Sequence, residues 1–158
     1  MTCIASERKT GLMVADSRAT SGSHHPIGAK MKIHLIEAGR YKGALLGVSS
    51  DITGVGEPLK EWVTSGKDKE ALGKIEGSVD PILAMPDRSA DFFDANLFLS
   101  GPLEGDFLLA RGREYALGAF KAGADAFEAV KVVSRAIPSA GLLLCTCSSM
   151  RPTPSSRR

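Results

Sequence analysis

Few residues in this 158-residue sequence are typed for chemistry on their own. His24 and His25 are adjacent, and neighbours on extended backbone point apart, which makes a poor chelate without further ligands. They read as part of a polar loop. Cys145 and Cys147 would share one face of a strand, but zinc sites favour two or more intervening residues, so core packing is the expected role. No P-loop or dinucleotide fingerprint occurs, and neither a metal nor a cofactor is expected. Thr2 differs in kind, because removal of Met1 would make it the first residue. A threonine hydroxyl is a poor nucleophile until a base takes its proton, and a free α-amine on the same residue can be that base. Its reference pKa of about 7.7–8.0 lies near the pH at which general bases are most useful. Cys3 would then be second, with its side chain pointing opposite to Thr2 on a strand, and it is read as structural.

The elements that would carry these residues follow from periodicity and turn chemistry. Thr2 to Ser6 and Leu12 to Ala15 read as a hairpin around the turn that ends at Gly11. Thr20 to Pro26 is a polar loop. Lys32 to Ile36 and Gly43 to Val48 form a second hairpin pattern. Asp51 to Val63 has near-helical apolar spacing, weakened by Gly54, Gly56 and Pro58. Lys67 to Leu83 reads as a lysine-rich, solvated helix. Asn96 to Ser100 and Asp106 to Ala110 read as a third hairpin. Glu114 to Ala122 is alanine-rich and stops at Gly123. A further helix starts at Asp125, with Glu128 three residues on as in a capping box, places Phe127, Val130, Val133 and Ile137 on one face, and ends at Pro138. Gly141 to Cys147 is a final strand. The order of strands, two helices, strands, two helices and strand predicts an α+β layered domain over 1–150. The basic tail 151–158 is expected to be disordered.

Composition narrows the class. Hydrophobic residues make up 43% and charged residues 24%, the balance of a soluble globular domain. A formal charge of +2 is too small to argue for nucleic acid. No run reaches the eighteen or so apolar residues of a membrane span. The start, MTCIASERK, lacks the pattern of a signal peptide. Three cysteines, an odd number, suggest no disulfide framework and point to a reducing cytoplasm.

Two stretches then carry a resemblance. Thr2-Cys3-Ile4-Ala5, followed by Ala15-Asp16-Ser17-Arg18-Ala19-Thr20, resembles the opening of proteasome β subunits and HslV-type peptidases, the N-terminal nucleophile (Ntn) hydrolases. Lys32-Ile33 resembles that family's lysine ahead of its third strand. Gly47, ending Ala44-Leu45-Leu46-Gly47, resembles the glycine whose N–H helps bind the oxyanion. Gly112 to Gly118 resembles a glycine-led helix start, G-x-x-Y-A-x-G. The likeness covers roughly residues 2–50 and 93–147.

The resemblance implies a four-layer αββα sandwich, with two antiparallel sheets face to face and helices outside. It implies Thr2 as nucleophile, Lys32 lowering the pKa of the amine, and Asp16 holding Lys32 charged and in place. Gly47 would aim its N–H at the oxyanion, with Arg18 and Ser139 in support. It further implies a peptide or unfolded protein as substrate, a homo-oligomeric ring and, by analogy alone, an ATPase partner. Two positions depart from the family pattern. Arg111 stands where a serine precedes the helix-start glycine, and Ala136 stands where an aspartate follows the last helix. In the family those side chains orient the amine and its water. A catalytically silent structural or assembly subunit, and an amidase acting on a small molecule, are therefore the alternatives to a threonine peptidase.

Overall fold

The chain opens by folding back on itself. The computed structural model describes residues 2–20, 26–73, 75–94, 96–102, 105, 107–109, 113–137 and 144–148. In it, β1 (Ile4–Glu7) and β2 (Leu12–Asp16) pair antiparallel, with Ile4 opposite Ala15. Gly11 closes the turn at φ 71°, a left-handed conformation that is free of penalty for glycine. Outside β1 lies β10 (Phe107–Leu109), and outside β2 lies β11 (Leu144–Ser148), so this sheet runs β10-β1-β2-β11. A short ribbon of β3 (Arg18–Thr20) and β4 (Pro26–Ala29) follows β2. The second sheet holds β5 (Ile33–Leu35), β6 (Leu45–Ser50), β7 (Val79–Ala84), β8 (Ala90–Phe93) and β9 (Leu99–Pro102) in that order, each antiparallel to the next.

Four helices complete the described residues: α1 (Gly56–Thr64), α2 (Lys69–Leu72), α3 (Arg113–Lys121) and α4 (Ala126–Ala136). Strand alternation sorts the apolar side chains into three clusters. Ile4, Met13 and Ala15 of the first sheet meet Ile33, Leu45, Ile82 and Ala90 of the second. The other face of the first sheet, with Cys3, Ala5 and Val14, packs on Ala116 and Phe120 of α3 and on Val130 and Val133 of α4. The other face of the second sheet, with Leu46, Val48, Val79 and Leu83, packs on Leu59, Trp62 and Val63 of α1. Each large aliphatic or aromatic side chain sealed in this way contributes roughly 1.5–3 kcal/mol. The architecture is thus α+β, built on antiparallel sheets, as the sequence predicts.

Three expectations are corrected. The segment 67–83 is not one helix: α2 is a single turn, and the chain then enters β7 as a strand of the second sheet. Pro81 is tolerated there because alternation turns its missing N–H away from β6, past the point where the β7–β8 ladder begins at Ile82. The third hairpin is not a hairpin, because β9 pairs with β8 while β10 pairs with β1 in the other sheet. On α4 the buried face is Ala126, Ala129, Val130 and Val133, with Phe127 36% exposed at its margin. Asp125 does cap α4, its Oδ1 accepting from Glu128 N at 2.9 Å. Met1, His24, His25, Arg111, Ser139 and the tail 151–158 lie outside the described residues.

Candidate active site

Thr2 stands two residues before β1 and is buried. Its neighbour Cys3 ties this end of the chain to the end of β2. Cys3 N donates to Asp16 Oδ1 at 2.6 Å, and Asp16 N donates to Cys3 O at 3.1 Å. The second carboxylate oxygen, Oδ2, accepts from Lys32 Nζ at 2.7 Å. Asp16 therefore grips the backbone beside Thr2 with one oxygen and the lysine with the other. Both side chains are sealed, at 0% and 1% exposure. Burial holds the Lys32 ammonium below its ordinary pKa. Asp16 opposes that shift, and the charge of Lys30 adds to it.

Lys32 is placed by its strand. It directly precedes β5, and its carbonyl accepts from Val48 N of β6 at 2.8 Å. Lys30 N donates to Ser17 O at 2.7 Å, which fastens the approach to Lys32 against the corner after β2. Arg18 is half-buried at the start of β3, opposite Ala29. The Cys3 thiol is pushed up to about 12 by burial and then by Asp16, so it remains a protonated core group.

The position expected to bind an oxyanion is occupied differently. Gly47 lies in mid-strand, opposite both Ile33 and Ile82. Because Val48 turns its N–H to Lys32, alternation turns that of Gly47 to β7, where the ladder uses it. Its lack of a side chain has a packing cause: a Cβ there would come within 3.0 Å of Ile4 Cγ2 and of Met13 Sδ across the sheet interface. The same alternation puts the N–H of Ser50, two residues beyond Val48, on the Lys32 edge of β6, where β5 has not yet begun. Ser50 was not marked by the sequence. The available signal was a polar Ser49-Ser50-Asp51 run closing an apolar strand. Beside this edge opens a cavity of about 220 Å³, lined by Lys30, Met31, His34, Val48, Ser50, Ile52 and the start of α1.

No protein-family model matches the sequence, and no curated protein matches it. Solved structures do. HslV from Trypanosoma brucei aligns with a TM-score of 0.64 at 15% identity, covering 92% of this chain and 97% of that one. Thiobacillus denitrificans BPH, solved in complex with epoxomicin, aligns at 0.62 and 17% identity, covering 98% and 100%. A Gly-1 mutant of Anbu from Hyphomicrobium sp. strain MC1 aligns at 0.71 and 10% identity, covering 94% and 81%. The chain has a proteasome/HslV-type fold. At these identities the likeness is one of architecture. Within the proteasome/HslV-type fold, Thr2, Asp16 and Lys32 are brought to one corner, Gly47 is held inside the sheet, and Ala136 ends α4 on the exposed side. Among the described residues no cluster of three or more His, Cys, Asp or Glu could hold a metal ion, and no helix is long and apolar enough to cross a membrane.

Proposed function

We propose that this chain is a threonine-type N-terminal nucleophile hydrolase that cleaves peptide bonds once Met1 is removed. The observation that carries this reading is the buried Asp16–Lys32 pair, bonded to the backbone of the residue after Thr2. The Thr2 hydroxyl attacks the substrate carbonyl carbon while the α-amine of Thr2 takes its proton. The Lys32 charge keeps that amine neutral near pH 7 by disfavouring a second cation nearby. The developing oxyanion accepts from a backbone N–H, for which Ser50 is better placed than Gly47. Collapse of the tetrahedral intermediate breaks the C–N bond, and the protonated amine of Thr2 returns its proton to the leaving amine. Water then attacks the Thr2 ester, with the same amine as base, and releases the acid.

The test is covalent labelling of protein shown by intact mass to begin at Thr2. A peptide epoxyketone, a reagent of the epoxomicin kind that one neighbour of this fold binds, should add to Thr2, because such probes need both the hydroxyl and the free amine. Processed protein that takes no adduct would overturn the reading. It would favour instead a catalytically silent structural subunit, for which Ala136 in place of the family's aspartate is the specific support. The likeness to HslV and Anbu also favours a homo-oligomeric ring, and a peptide or unfolded protein as substrate and a cytoplasmic location belong to the same reading. A partner ATPase belongs to the same reading by analogy.

A further inference from the structure

The cavity beside Lys32 has a chemical character of its own. His34 projects from β5 into its lining and is 5% exposed, yet neither Nδ1 nor Nε2 has a hydrogen-bond partner. Glu57 Oε1, from the first turn of α1, stands 3.4 Å from Nδ1 without hydrogen-bond geometry. Gly56 makes room for the ring, since a Cβ there would fall 2.4 Å from Nε2. Burial keeps the imidazole neutral by lowering its pKa, with Glu57 opposing. A neutral imidazole has one N–H and one lone pair. The Glu57 carboxylate favours the N–H at Nδ1, which leaves Nε2, beside Gly56 in the cavity lining, as an unpaired acceptor. A buried polar atom without a partner is costly, so a ligand that supplies one is strongly favoured.

The rest of the lining restricts that ligand. Lys30 contributes a donor and a positive charge, and Glu57 a negative one. A carboxylate would meet Glu57, and an ammonium or guanidinium would meet Lys30. A side chain that is neutral, donates at one atom and accepts at another satisfies both walls. A carboxamide does this: its NH₂ donates to His34 Nε2 and its carbonyl accepts from Lys30. Met31, Val48 and Ile52 supply an apolar wall for its methylene stem.

We propose that this cavity takes the side chain of the substrate residue whose carbonyl is attacked, and that His34 and Lys30 select glutamine or asparagine there. The proposal rests on the hydrolase reading for its position in the substrate. Its chemistry rests on the cavity alone.

Protein beginning at Thr2 is assayed with peptide aminocoumarins that differ only at that residue. The glutamine peptide should exceed the leucine, glutamate and lysine peptides by at least about tenfold in kcat/KM, because a competitor leaves His34 unpaired. His34→Leu should invert the order in favour of leucine, and Lys30→Met should lower the glutamine rate. A second readout needs no turnover. In Thr2→Ala protein with nitrogen-15 imidazoles, the His34 resonances should move on titration with a peptide ending in glutamine amide and stay fixed with its leucine counterpart. Turnover without glutamine preference overturns the proposal and leaves the hydrolase reading standing. A glutamine-selective shift with no turnover of any peptide supports the carboxamide site and sinks the hydrolase reading. Absence of both overturns both.

Discussion

Asp16 and Lys32 hold each other inside the protein, and the removal of either strands the other. An uncompensated buried charge costs roughly 3–5 kcal/mol. Lys32→Ala should therefore lose turnover by about three orders of magnitude or more and also lower the urea midpoint substantially. The combined Asp16→Asn, Lys32→Met protein should recover much of that stability and none of the turnover. Recovery of both would show that the pair braces the fold without serving the reaction. Lys42, exposed and remote in sequence, provides the control in Lys42→Ala. His34 offers a second residue-scale test. Its imidazole, faced by Glu57 and Lys60, is held neutral in the fold below the ordinary value of about 6.5. In the window below that value the unfolded chain binds the extra proton, so stability is full above it and falls as pH drops toward the folded value. Melting temperatures should show this decline, and His34→Gln should flatten it relative to the parent protein.

At the scale of elements, the helix cap is the simplest wager. Asp125 Oδ1 receives the Glu128 N–H, and Asp125→Ala should cost about 1 kcal/mol, read as a lowered thermal midpoint with α4 otherwise intact. That cap was legible because all of its determinants lie within four residues. The β1–β2 hairpin and α3 were legible for the same reason. The segment 67–83 was not, because charged residues at helical spacing concealed β7, a strand defined by its partners β6 and β8. Leu99–Pro102 and Phe107–Leu109 look like a hairpin locally, and only the distribution between two sheets separates them. The site divides along the same line. Asp16 and Lys32 stand in stretches whose residue types mark them. Ser50 and His34 owe their places to register and to the packing of α1, which no short stretch of sequence displays.

The whole molecule carries apolar surface that a free monomer would leave wet. Phe98 is 61% exposed and Leu99 53%, on and beside the edge strand β9. Among the described residues β9 ends its sheet, exposed edges of this kind invite association, and the ring reading gives them an orderly outlet. Native mass measurement at micromolar concentration should therefore give several times 16.7 kDa. A clean monomer would defeat the ring and leave the fold untouched.

The order of strands in the first sheet also bears on how the protein is made. β1 has β10, about a hundred residues later, as one of its two neighbours, and the far neighbour of β2 is β11, later still. At roughly 5–20 residues per second of synthesis, β1 waits several seconds for its second partner. The sheet that carries Thr2 closes only when segments about a hundred or more residues apart have met, and pairings so distant in sequence are slow to form. The setting of Thr2 is thus a product of long-range folding and not of the local hairpin alone.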